Sequence, residues 1–367
     1  MKKDELETLL REKDSPCISI IIPTERTARK KNYEVLKKAI QTANAILKSK
    51  PYPEEIKASL LLKINEIGKK LPASIREGLG LYISAKHSFV ISFPFSVTQK
   101  IIVDDSFETR ELFYLRQFLT PYYVIMLGNK SVHFYKAIMD TLEEIKDGNF
   151  PVFLDDQYEY ARPSVDSGSI NSLKSFEKDK TVISAIRIKT MLKNADTHLA
   201  PYLSKGPAKV ILAGTQKPLS AFATATNFSS RILGKVSGSF KSENLSSLGK
   251  AAWLVYVNHR KNEDEQSILK ILEQPNEVLA EGLPEAWTAA QEGKGLLLAV
   301  EKDFHCRAYE VPNQYKILLR PPKKPYTVIP DAVDDLIETV SKKNGKIIFV
   351  ENEQLKNSGH VTLLMRY

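Results

Sequence analysis

Residues 155–203 read DDQYEYARPSVDSGSINSLKSFEKDKTVISAIRIKTMLKNADTHLAPYL. The stretch opens as a polar loop in which Pro163, Ser164, Asp166, Ser167, Gly168 and Ser169 are all turn or cap formers. Past that point the pattern changes. Val182, Ile183, Ile186, Ile188, Met191, Leu192, Ala195 and Leu199 recur every three or four residues, which predicts a long helix with one buried face. Lys174, Lys178, Lys180, Arg187, Lys189 and Lys193 make a cationic second face. A small-residue loop feeding a basic helix suits a segment pushed into a crowded, phosphate-rich place. A solvated loop before an ordinary amphipathic helix gives the same pattern.

Working outward, Tyr122–Leu127 and Ser131–Tyr135 flank Gly128–Lys130 as a hairpin, and residues 139–145 can add a third strand. Behind the long helix, Ala208–Ala213 reads as a buried strand, Lys217–Thr226 as a helix and Arg231–Val236 as a strand. Residues 120–240 thus predict a mixed sheet with helical cover. Before them, residues 1–119 predict an α/β domain with a strand at Cys17–Pro23, a hairpin over 78–93 and helices over about 30–48 and 53–71. The first of these helices carries Val35, Leu36, Ile40, Ala43 and Leu47 on one side and has Thr24 as an expected cap. Arg26, Arg29, Lys30, Lys31, Lys37 and Lys38 make its surroundings basic. Residues 241–367 predict a C-terminal α/β sandwich with strands at 295–300, 346–350 and 361–365 and a helix over 331–343 that stops at Asn344–Gly345. The fold class expected is mixed α/β (α+β) in three domains.

Of 367 residues, 43% are hydrophobic, enough for buried cores. Lys plus Arg exceed Asp plus Glu by 53 to 44, a formal charge of +9 compatible with a polyanionic partner. The charged start MKKDELETLLREKD has no apolar stretch of a secretory signal, and no run of about 18 apolar residues predicts a membrane span, so the expected location is the cytoplasm. Cys17 and Cys306 are too few and too far apart for a disulfide framework or a cysteine zinc site.

No nucleophile elbow appears, since Gly234–Gly238 has the wrong spacing, and no phosphate-binding loop precedes a Gly-Lys pair. The six histidines fall at no metal-ligand spacing, so neither metal nor cofactor is expected. His305–Cys306 reads as a strand dipeptide. Asp155, Asp156 and Asp166 raise a two-metal nuclease, but they cluster in one loop and fit solvated turn carboxylates better. Tyr122, Tyr123, Phe134 and Tyr135 raise base stacking, although alternation in a hairpin places half of them in the core.

The chain, over nearly its whole length, resembles the bacterial branch of the archaeo-eukaryotic release factor and Pelota family, and four pieces of sequence carry the resemblance. They are Pro16–Thr24 with Arg26, the two hairpins 78–93 and 122–135, and above all the run from Asp334 to Glu338 through Gly345–Glu351 to Leu355 and Gly359. The resemblance implies an RNase-H-like central domain and a last domain folded like a kink-turn-binding ribosomal protein. It also implies a ribosomal partner (rRNA or tRNA) and a translational GTPase such as elongation factor Tu. A catalytic release factor carries Gly-Gly-Gln just before its long basic helix. Here the matching place reads Ser167-Gly168-Ser169. The second glycine and the glutamine that would help place water against an ester carbonyl are absent, so peptide release by the usual arrangement is not expected. An Asn-Ile-Lys-Ser codon-reading motif is missing as well. A factor that occupies a ribosomal site in hibernation, rescue or quality control is the reading that remains. Its expected RNA contacts are Arg26, Arg29, Lys30, Lys31, Lys37, Lys38, Lys174, Lys178 and Arg187, each of which taken singly also fits a solvated face. The alternatives are a divergent peptidyl-tRNA hydrolase built on Ser167–Ser169 and an RNA-binding protein that does not use the ribosome.

Overall fold

A computed structural model describes residues 3–12, 15–69, 71–72, 75–154, 170–204, 206–240, 244–311 and 315–366. The chain packs as two units, one made of Met1–Phe118 with Asp264–Tyr367 and the other of Leu119–Glu263. Each has its own sheets and core.

The first unit begins with α1 (Lys3–Arg11), β1 (Cys17–Pro23), α2 (Arg29–Ser49), α3 (Glu54–Ile67), β2 (Gly78–Ile83), β3 (Ser88–Phe93), β4 (Lys100–Asp104) and α4 (Arg110–Arg116). The strands form an antiparallel sheet in the order β3-β2-β1-β4. Period-two alternation sends Ile18, Ile20 and Ile22 of β1 to one face. There they meet Leu36, Ala39, Ala43 and Leu47 of α2 and Leu60 and Ile64 of α3, all but fully buried. The three-and-four spacing on α2 therefore does what it predicts, and it fixes which side of that helix faces water. Thr24 does not cap α2. Its hydroxyl donates to the Arg76 carbonyl at 3.0 Å. Asn32, buried in the first turn, instead clamps the approach by exchanging hydrogen bonds with the Glu25 backbone at 2.7 and 3.0 Å.

The second unit runs through β5 (Tyr122–Leu127), β6 (Ser131–Ile138), β7 (Thr141–Glu144), β8 (Val152–Phe153), α5 (Ile170–His198), α6 (Ala200–Leu203), β9 (Val210–Gly214), α7 (Gln216–Ala225), β10 (Ile232–Ser237) and the first part of α8 (Leu245–Leu272). Its sheet has the order β10-β9-β5-β6-β7, with β8 beside β6. Pairing is parallel from β10 through β9 to β5 and antiparallel from β5 through β6 to β7, the mixed sheet expected from the sequence. One face is covered by Met191, Leu192, Ala195 and Leu199 of α5 with Leu219 and Phe222 of α7. On α8, Tyr256 stacks on Tyr122 at 4.5 Å and 13°.

The expected burial of the whole apolar stripe of α5 fails in its upper half: Val182, Ile183 and Ile186 are 52%, 39% and 59% exposed. The cause is length. A helix of 29 residues spans about 43 Å, whereas an eight-residue strand spans about 26 Å. The sheet ends before the helix does.

The first unit resumes with the end of α8, β11 (Leu279–Glu281), α9 (Leu283–Gln291), β12 (Gly295–Glu301), β13 (Ala308–Glu310), β14 (Ile317–Leu318), β15 (Thr327–Ile329), α10 (Ala332–Lys342), β16 (Lys346–Val350) and β17 (Val361–Met365). The main sheet here is β11-β17-β12-β16. Trp287 and Ala290 of α9 and Leu336, Ile337 and Val340 of α10 pack against Leu298, Val300 and Leu363. Ile268 and Ile271 of α8 pack with Ala299 and Val350 in a second cluster. Helices covering both faces explain why β12 reads as a continuous apolar run. A separate small sheet has the order β14-β13-β15. His305 and Cys306 lie before β13, outside any strand, contrary to the dipeptide reading. A polar side-chain bond accounts for this: His305 Nδ1 sits 2.6 Å from Asp331 Oδ2.

Candidate nucleic-acid interface

Burying the apolar side of α2 leaves Arg29, Lys30, Lys31, Lys37 and Lys38 exposed, with Arg26 exposed in the turn before it. These cations are not equivalent. Arg29 donates from both terminal nitrogens to the carbonyls of Leu71 and Pro72 at 3.1 Å, so it ties that segment to the helix. Lys31 pairs with Glu25 at 2.5 Å. Lys30, Lys37 and Lys38 are the members of the group best placed to meet a phosphate backbone, on a helix held rigid from below. A row of ammonium groups reads polyanion charge and shape without base specificity.

On α5, Arg187 is half-buried while Lys189 and Lys193 are exposed. Between α5 and α7 runs a groove of about 930 Å³ with an apolar floor including Ile188, Leu192 and Phe222 and a rim including Lys189, Lys193 and Lys217. Asp196 lines the same groove and is already satisfied: it accepts from the Asn227 amide nitrogens at 3.2 and 2.8 Å and from the Thr226 hydroxyl. The sequence gives no signal for Lys217 at this rim, because a lone lysine opening a short helix makes no pattern. Ser167, Gly168 and Ser169, with Asp155, Asp156 and Asp166, lie outside the described residues, and so do the side chains of Lys174 and Lys178.

The hairpin aromatics are core residues and not a stacking platform. Tyr122, Phe134 and Tyr135 are at most 1% exposed, and Tyr123 stacks on Phe134 at 5.0 Å. Burial pushes the Tyr122 and Tyr135 hydroxyls above their ordinary range.

A second polar constellation lies within the first unit. Lys100 meets Glu108 at 2.6 Å and Glu111 at 3.0 Å, all three close to fully buried. Burial alone would lower the Lys100 pKa, but the two carboxylates raise it above its usual value. An ammonium held this firmly cannot serve as a neutral amine base or nucleophile. Arg110 meets Asp331 at 2.7 Å, and Asp331 Oδ1 accepts the Val333 N–H at 3.1 Å as the cap of α10. Burial would raise Asp331, but His305 and Arg110 hold it below the usual carboxylate range. Asp334 accepts from the Thr109 backbone and hydroxyl at 3.3 Å, and desolvation with Glu108 nearby holds its carboxyl well above the usual value. This cluster joins early and late sequence and has the character of a structural pin. Among the described residues, no group of three or more His, Cys, Asp or Glu side chains is placed to hold a metal ion, and no helix is long and apolar enough to cross a membrane.

Residues 121–294 match the model of bacterial archaeo-eukaryotic release factor family 3. No curated protein matches the chain. Among solved structures, the archaeal translation termination factor aRF1 is 14% identical over 100% of this chain and 99% of its own, with a TM-score of 0.24. Pelota of Archaeoglobus fulgidus is 16% identical over 77% of this chain and 75% of its own, with a TM-score of 0.37. Dom34 of S. cerevisiae, a translation termination-like factor involved in RNA quality control pathways, is 10% identical over 80% and 75%, with a TM-score of 0.37. These structures overlay loosely. Residues 121–294, just under half of the chain, are thus similar to the bacterial archaeo-eukaryotic release factor family 3.

Proposed function

We propose that this chain is a cytoplasmic translation factor that occupies a site on the ribosome without releasing the nascent peptide, in hibernation, rescue or quality control. The observation that carries the reading is α2. Its buried apolar side leaves Lys30, Lys37 and Lys38 exposed on a rigid helix, as contact with folded RNA through phosphate requires. Similarity of residues 121–294 to the release factor family supports the translation context. The sequence Ser167-Gly168-Ser169 supports the absence of release, since it lacks the donor that would place water. Division into the three domains 1–119, 120–240 and 241–367 and a partner GTPase such as elongation factor Tu belong to the same proposal.

The test is sedimentation with purified bacterial ribosomes through a sucrose cushion. Stoichiometric co-sedimentation at moderate salt supports a defined site. RNA binding with no preference for intact ribosomes would replace this reading with that of a general RNA-binding protein.

A further inference from the structure

The small sheet β14-β13-β15 has two different faces. Ala308, Ile317 and Ile329 point inward and are at most 8% exposed, in the core that also holds Leu336 and Val340. The register sets Tyr309 opposite both Leu318 and Val328, so these three share the outer face. Leu318 and Val328 are 42% and 45% exposed there. Tyr326, two residues before Val328, lies on the same side, its ring edge-on to Tyr309 at 5.2 Å and 90°. Tyr315, just before β14, is 68% exposed, while its backbone carbonyl accepts from the Thr288 hydroxyl at 3.2 Å. Arg307, Lys316, Arg320, Lys323 and Lys324 are all exposed along the same 25 or so residues. Glu285 and Glu292 line a groove together with Lys294, Lys316 and Leu318, and Lys294 pairs with Glu292 at 2.7 Å.

We infer that this face binds single-stranded nucleic acid, RNA in the translation context, by stacking bases on tyrosines and contacting phosphates with the surrounding cations. Exposed Tyr326 beside Tyr309 on the outer face and exposed Tyr315 at the edge just before β14, amid five exposed cations, are what sequence-tolerant single-strand recognition needs, because every base has a π-face and every nucleotide a charge. Charge complementarity selects a polyanion. The exposed rings favour bases over an acidic peptide, for which aliphatic residues alone would suffice. The inference goes beyond the ribosomal reading, since it assigns a second surface and a ligand of its own and does not use α2.

Fluorescence anisotropy with a labelled oligouridine tests it on the full chain. Tyr315→Ala should weaken binding about tenfold, within the range of one lost base-stacking contact. Tyr326→Phe should bind as wild type, and Tyr326→Ala should weaken binding by a similar factor. Arg320→Gln with Lys323→Gln and Lys324→Gln should lower the slope of log affinity against log salt by about 2. Unchanged binding in Tyr315→Ala, or tighter binding of an oligoglutamate of equal charge, overturns the inference and in the second case makes the face an acidic-protein site. Exposed Tyr315 gives a variant expected to fold, and a thermal melt confirms it. Running an α2 charge-reversal variant in the same assay, and the tyrosine variants in ribosome sedimentation, separates the two failures. Loss confined to ribosomes strikes the ribosomal reading, and oligouridine binding that ignores the tyrosines strikes this one.

Discussion

Arg110, 3% exposed, places a terminal nitrogen 2.7 Å from Oδ2 of Asp331, a residue far along the chain. Its other terminal nitrogen donates to the Phe304 carbonyl. One side chain thus holds the start of α4, the turn after β12 and the cap of α10. Removing one partner of a buried pair leaves the other charge uncompensated, which costs about 3–5 kcal/mol. Arg110→Ala is therefore expected to lower the stability of the first unit by about that amount in denaturant unfolding. A change below about 1 kcal/mol would show the pair to be dispensable.

Asp334 gives a pH signature. Its carboxyl titrates higher in the folded protein than in the unfolded chain, chiefly because it is desolvated and secondly because Glu108 is near. The native state then holds that proton more tightly. The contribution of this group to stability is fully present below the ordinary carboxylate range and is lost as pH rises through the folded value. Asp334→Asn cannot ionise and keeps an acceptor for Thr109. Thermal melts should show the variant ahead of wild type by roughly 2–4 °C per kcal/mol gained at neutral to alkaline pH, with the gap closing in acid. A variant less stable at every pH would contradict the assignment.

Gly214 closes β9 with φ +150°, and a Cβ there would lie 2.4 Å from the Leu127 carbonyl oxygen. That oxygen belongs to the neighbouring parallel strand β5 and cannot move aside cheaply. Gly214→Ala should cost about 3 kcal/mol or more, read as loss of soluble folded protein or a lower denaturant midpoint.

Much of the fold is legible in the sequence for a physical reason: a period needs several turns or several strand residues to show. The stripe on α2 and the strands Tyr122–Leu127 and Val361–Met365 are long enough. Strands of two or three residues, such as β13, β14 and β15, are too short to declare themselves, so the outer face of Tyr309, Leu318 and Val328 exists only once the register is known. Arg110 and Asp331 look like two solvated charges until folding brings them together. On α5 the sequence overstates burial, because periodicity records which side faces inward and not where the sheet beneath stops. Among the expected RNA contacts, Arg29 and Lys31 turn out to have partners of their own, which charge counting cannot foresee.

Peptide release is the chemical question that the sequence Ser167-Gly168-Ser169 raises. Single-turnover incubation with stalled ribosomes carrying a labelled peptide should show release no faster than without the protein, and Gly168→Ala should change nothing. Saturable release abolished by Gly168→Ala would make the chain a peptidyl-tRNA hydrolase.

The ribosome itself is the most direct test. Affinity for purified ribosomes, measured by sedimentation over a range of salt, should stay stoichiometric near physiological ionic strength for wild type. In the variant Lys30→Glu, Lys37→Glu, Lys38→Glu, binding should weaken sharply and the log–log salt slope should fall by about 2–3, as the loss of three phosphate contacts requires. Equal binding by the variant, or wild-type binding that disappears at modest salt, would contradict the account.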